Sequence, residues 1–258
     1  MDAPDPAVGA TLEDLVAGIR TALGADLVAI YLYGSYVSGG FDVGVSDLDL
    51  VAVTSGEVED LDLAGIEQMH REIVRRHPDW DDRIEVVYVG RATLESFRTN
   101  LGRLAVISPG EPFHVRDEQV AEWVQNWYLV RTTAIALHGP SAEAVVPPVT
   151  WSEFAAATAK YAKQLAGRSL RDASPASVAY AVLTMSRAAM TVRTQASGSK
   201  QDGAAWARRR FPEWAWLVDV ALRCRLARGT AGFTDVESRT AADEFMRRLA
   251  TEINQSPE

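Results

Sequence analysis

The sequence predicts an α+β chain in two parts: a mixed sheet with flanking helices, then an all-α helical bundle. Three observations carry this reading. Apolar runs of strand length fall at residues 27–33, 50–53 and 84–89, and no convincing strand follows Trp151. From Trp151 onward apolar residues recur at helical spacing in four patterns: 152–165, 177–194, 202–210 running on through 214–228, and 235–253. Between the two regimes Gly139-Pro140 ends one pattern and Pro147-Pro148 marks a linker. The expected domains are therefore residues 1–149 and 150–258.

Bulk composition excludes several classes. The apolar and charged fractions, 47% and 24%, are those of an ordinary globular chain. A formal net charge of −9 argues against a broad, sequence-independent grip on nucleic acid, which needs a basic footprint. Arg208-Arg209-Arg210 stands at a helix end, where it favours the macrodipole as a solvated run. The first ten residues carry neither a basic nor an apolar targeting segment, and no run reaches membrane-spanning length. A cytoplasmic monomer with no nucleic-acid or membrane partner is the expectation. Cys224 is the sole cysteine, so no intrachain disulfide can form, and its apolar helical setting makes it core filler.

In chain order, Thr11 is placed as an N-cap before a helix with Leu12, Leu15, Val16, Ile19 and Leu23 on its apolar face. The strand at 27–33 follows and stops at Gly34-Ser35. After the second strand and an acidic loop, Leu63, Ile66, Met69, Ile73 and Val74 mark another helix. His70 and His77 lie on it without partners at metal-ligand spacing and read as surface residues. Residues 84–89 form the third strand, residues 104–116 read as irregular around Pro109-Gly110, and residues 118–138 as one long helix with Trp123 and Trp127 in a core stripe.

The chemistry gathers between the first two strands. Gly34-Ser35 ahead of a short helix would offer backbone N–H groups and a hydroxyl to a phosphate. Ser46-Asp47-Leu48-Asp49 opens the second strand, and period-2 alternation puts Asp47 and Asp49 on one face. Carboxylates this close repel, so their pairing points to a cation between them. Glu85 is the only charge inside the run 84–89, where an acid faces a cleft or a buried partner. A phosphate cradle beside paired carboxylates suits Mg²⁺-assisted phosphoryl or nucleotidyl transfer.

The spacing G-S-x(10)-S-D-x-D-L resembles the signature of the DNA polymerase β-like nucleotidyltransferase superfamily. Val182–Arg187 (VLTMSR), 199–207 (SKQDGAAWA) and 210–212 (RFP) add a second resemblance, to the streptomycin and spectinomycin adenylyltransferases. It implies a first domain carrying nucleotide and metal, and a helical domain closing over ATP and acceptor. By that resemblance Asp47 and Asp49 are catalytic acids and Mg²⁺ ligands, and Glu85 is a third acid, either metal ligand or base. Gly34, Ser35, Ser46 and Lys200 would bind the nucleotide. The implied substrates are ATP and a small polar, cationic acceptor with a hydroxyl, an aminoglycoside such as spectinomycin among them. Two departures stand out: residues 173–180 lack the acids that streptomycin-modifying members carry there, and residues 108–113 lack a tryptophan. Nucleotidylation of a protein or other non-drug acceptor, and a catalytically idle nucleotide-binding regulator, are the alternatives.

Overall fold

The computed structural model describes residues 6–99, 102–116 and 123–255. The chain divides into two compact units, one of Met1–Val37 with Ser46–Thr150 and one of Ser38–Val45 with Trp151–Glu258.

The first unit is built on a six-stranded mixed sheet in the order β5-β4-β3-β2-β1-β6. Helix α1 (Pro6–Leu23) precedes β1 (Leu27–Tyr33), which pairs antiparallel with β2 (Leu48–Thr54). Helix α2 (Leu63–Arg76) starts at Asp62, whose carboxylate accepts from the N–H of Gly65. It crosses over to β3 (Ile84–Gly90), the parallel neighbour of β2, and the short α3 (Arg91–Glu95) follows. Strands β4 (Leu104–Ser108) and β5 (Glu111–Arg116) form a hairpin. Helix α4 (Val124–Thr133), strand β6 (Ile135–His138) and helix α5 (Ala142–Val145) complete the unit. One sheet face buries Tyr31, Val51, Val53, Val87 and Val89 in a core with Phe97, Trp127 and Val130. Trp123 and Trp127 are thus core residues, as their spacing implies.

Several local expectations change. Thr11 is buried inside α1, because that helix begins by Pro6 and Thr11 is not its cap. Residues 104–116 are the β4–β5 hairpin: Gly110, at φ +78°, closes the turn, and Pro112 is tolerated because β5 is an edge strand. The expected helix over 118–138 ends at Thr133, and residues 117–122 lie outside the described residues. Ala134 turns extended, and residues 135–138 pair with β1, satisfying backbone groups that an open edge would leave exposed. His70 is buried, with its Nε2 2.8 Å from the Tyr88 hydroxyl, because α2 lies on the Tyr88 face of the sheet. His77 does lie nearer the surface, paired with Asp14 at 2.8 Å.

Burial pushes the His70 pKa down to about 4, and its Nδ1 has no hydrogen-bond partner among the described residues. The folded state therefore holds it neutral, while the unfolded chain takes up a proton near pH 6.5. Stability conferred by the neutral ring is complete above pH 6.5 and is lost as pH falls toward 4. The expected loss is about 2 kcal/mol at pH 5 relative to pH 7.5. Urea titrations at the two pH values check this, and in His70→Gln the pH difference should shrink to well under half.

The second unit is helical: α6 (Trp151–Ala166), α7 (Pro175–Thr194), α8 (Lys200–Arg210), α9 (Ala215–Leu226) and α10 (Val236–Ile253). Helix α7 is apolar on nearly every side because α6, α8, α9 and α10 all pack on it. The pattern over 202–228 is two helices, since Pro212 opens a 3₁₀ turn (Pro212–Trp214) between them. Cys224 is buried in the core of this bundle. Arg210 is not merely solvated: it pairs at 3.0 Å with the buried Glu252, which also meets Arg193 and Arg248, each at 3.3 Å. Segment Ser38–Val45 clusters with this unit through Asp42, which accepts from Arg225 Nε at 3.1 Å and Gln201 Nε2 at 2.8 Å.

Candidate active site

Strand register brings the acids together. Tyr33 on β1 pairs with Asp49 on β2, and Asp49 pairs with Glu85 on β3. The three side chains therefore form one row across adjacent strands, on the face that includes Val51, Val53, Val87 and Val89. Asp47, two residues before Asp49, shares that face, and its charge reaches Glu85. All three carboxylates are half-buried.

The electrostatics follow from this crowding. Burial pushes the Glu85 pKa up, and the Asp47 charge adds to the rise; Arg116 and a hydrogen bond from Tyr33 oppose it. Tyr33 is held neutral, far above its ordinary range, by burial and then by the charges of Glu85 and Asp49. Its hydroxyl therefore remains a donor and orients the Glu85 carboxylate. Neither Tyr33 nor Arg116 is singled out by the sequence pattern: Tyr33 ends an apolar run, and Arg116 lies on a strand that reads as loop.

Gly34 follows Tyr33 at φ +74°, in the left-handed region. A Cβ there would lie 2.0 Å from Asp49 Oδ2, so only glycine leaves space for that carboxylate. Residues 34–39 are turns, and the short helix expected after Ser35 is not formed. With three glycines in 34–40, the segment has too little helix propensity to nucleate one. Ser35 is half-buried in this turn beside Gly34.

Ser46 is buried, and its backbone carbonyl accepts from Arg83 Nη2 at 2.6 Å and Nε at 3.2 Å. Arg83 also donates to the carbonyl of Asp79 and lies over Trp80, 4.4 Å from the ring centroid. Its own carbonyl accepts from the Leu48 N–H at 2.9 Å. This buried guanidinium clamps the segment that delivers Asp47 and Asp49, a role with no sequence signal. Lys200 belongs to the second unit. It is the first residue of α8, after the N-cap Ser199, whose capping box with Asp202 fixes the turn; its Nζ lies 4.5 Å from the Tyr180 ring centroid.

The donor set suits a hard divalent cation. Among the described residues no group of three or more His, Cys, Asp or Glu side chains forms a metal cage. Mg²⁺, however, is ordinarily bound by one or two carboxylates together with substrate phosphates. Asp47 and Asp49, on one face at a strand end with the Asp49 carboxylate over a Cβ-free residue, fit that requirement.

Residues 16–101 match the family model of the nucleotidyltransferase domain. Residues 144–252 match that of the aminoglycoside adenylyltransferase C-terminal domain. The class defined by the mixed sheet and its acids is that of the nucleotidyltransferases. Within it, the two family matches support an aminoglycoside adenylyltransferase-like nucleotidyltransferase. The fold is similar to that in the crystal structure of spectinomycin adenyltransferase AAD(9) from Enterococcus faecialis with ATP and spectinomycin. The TM-score is 0.73 at 18% identity, over 96% of this chain and 99% of that one. No curated protein matches the sequence significantly. Among the described residues no helix is long and apolar enough to cross a membrane.

Proposed function

We propose that this enzyme transfers AMP from ATP to a hydroxyl of a small polar acceptor, with Mg²⁺ as cofactor. The observation that carries the reading is the row Tyr33–Asp49–Glu85 with Asp47 beside it. Asp47 and Asp49 would hold the cation, which when bound neutralises phosphate charge and orients the triphosphate. The Gly34-Ser35 turn and Ser46 would meet the nucleotide in the first unit, and Lys200 would do so from the second.

Glu85 is the general base. It accepts the proton of the acceptor hydroxyl as that oxygen bonds to the α-phosphorus, and the bond to pyrophosphate breaks in line. A raised pKa improves Glu85 as a base at neutral pH, and the Tyr33 hydrogen bond holds one carboxylate oxygen in place while the other receives the proton.

The acceptor is read as a cationic aminoglycoside, and the enzyme as a cytoplasmic, monomeric resistance determinant. Spectinomycin is the first candidate and streptomycin the poor one. The two guanidino groups of streptomycin need carboxylate partners, because a desolvated cation without one costs several kcal/mol. Residues 173–180 offer none. Spectinomycin is smaller and its amines simpler, so the acids of the first unit can suffice. Protein incubated with ATP, Mg²⁺ and each drug should add one AMP by mass to spectinomycin at least about tenfold faster than to streptomycin, the factor set by 1.4 kcal/mol of discrimination. Equal rates would refute the acceptor argument, and no AMP transfer to either drug would remove the aminoglycoside assignment.

A further inference from the structure

Asp47 and Asp49 share a face but are held differently. Asp49 lies inside the ladder, between Tyr33 on β1 and Glu85 on β3. Asp47 lies one residue ahead of β2, whose pairing with β3 begins at Leu48. The two peptide groups that flank Asp47 are both bound by Arg83. The Ser46 carbonyl accepts from the guanidinium, and the Leu48 N–H donates to the Arg83 carbonyl at 2.9 Å. A peptide group is planar, so fixing its carbonyl fixes its N–H as well. With both planes set, the backbone of Asp47 has little freedom left, and the direction of its side chain follows. Arg83 is itself immobilised: it is 6% exposed, its Nη1 donates to the Asp79 carbonyl at 3.1 Å, and its N–H donates to the Trp80 carbonyl at 3.1 Å.

We propose that Arg83 is a positioning residue for the metal site: it presents the Asp47 carboxylate to the divalent cation by fixing the peptides on both sides of that residue. This rests on the reading of Asp47 as a metal ligand. Its signature is opposite in sign to that of charge alone. Removing a buried cation beside these carboxylates should, by Coulomb attraction, tighten the binding of a divalent ion. Losing the clamp weakens it.

The test titrates Mn²⁺, in place of Mg²⁺, into protein with ATP and reads the free ion by electron paramagnetic resonance. Arg83→Met keeps a long side chain without a donor, and Mn²⁺ affinity should fall about tenfold, the low end of what such supporting partners are worth. Arg83→Lys keeps a donor without the fork and should lose only about threefold, the worth of one hydrogen bond. In an Asp47→Asn background Arg83→Met should change the affinity by less than about twofold, because the ligand it positions is already gone. A second readout needs no metal. Amide exchange at Asp47 and Leu48 should quicken about tenfold in Arg83→Met, while Val51 and Val87 stay protected and show that the sheet is retained. If the sheet is not retained in Arg83→Met, Arg83→Lys decides by the same two measurements. Unchanged or tighter Mn²⁺ binding would overturn the proposal, as would unchanged exchange at Asp47 and Leu48. The same loss with and without the Asp47 carboxylate would overturn it too. Failure of the metal reading itself looks different: wild-type protein would then hold Mn²⁺ no more tightly than ATP alone does, and the proposal would fall with it.

Discussion

Asp49→Asn should lose activity by roughly a hundredfold or more, since even partners one step removed from a metal are worth 10–100-fold and the proposed function puts Asp49 in direct contact with it. The substitution keeps the side-chain volume, which matters because Asp49 Oδ2 fills the space over Gly34 that a Cβ would occupy. It removes one of the negative charges crowded with Glu85 in the β2–β3 register. Folding should therefore be spared, and the melting temperature should stay level or rise slightly as repulsion is relieved. Asp47→Asn should behave alike, because Asp47 shares the face and its charge already reaches Glu85. The measurement is pyrophosphate release with an accepted acceptor, titrated with Mg²⁺ and repeated with the metal chelated. Wild-type turnover should vanish on chelation, and neither variant should recover at high Mg²⁺. Turnover within tenfold of wild type in both variants would show that these acids do not hold the metal.

The acids of the proposed site are legible in the sequence because they obey local rules. Alternation along one strand places Asp47 and Asp49 on one face, and a lone Glu85 within an apolar run announces a special environment. The helical half is legible for the same reason, since its periodicity survives without tertiary information. The residues that support the site follow from pairing between distant strands. Tyr33 meets Asp49 only through the β1–β2 register, and Arg83 reaches the Ser46 carbonyl only once β2 and β3 lie side by side. Strand β6 is the clearest case: its four residues continue a helical-looking pattern, and the open edge of β1 recruits them. His70 reads as polar surface until the Tyr88 face of the sheet closes over it. Segment Ser38–Val45 carries no periodicity to show that Asp42 binds Arg225, 183 residues away.

Glu85→Gln separates the two roles an acid at this position can play. A general base contributes roughly 10²–10⁴-fold to rate, so turnover should fall by that factor. Binding of ATP with Mg²⁺ should stay near wild type, because the cation is assigned to Asp47 and Asp49. The amide cannot accept the acceptor's proton, yet its oxygen can still take the hydrogen bond from Tyr33, so the local geometry is kept. The wild-type rate should fall as pH drops through the pKa of Glu85, which burial and the Asp47 charge place above the ordinary glutamate range. Protonation is the inactive state of a base, so that acid limb belongs to the wild type and should be missing from the residual rate of the variant. Tyr33→Phe removes a hydrogen bond that favours the charged form, and its acid limb should move to higher pH. Calorimetry of ATP and Mg²⁺ binding decides the assignment. If affinity collapses together with turnover in Glu85→Gln, Glu85 is a metal ligand, and the proton must leave by another group.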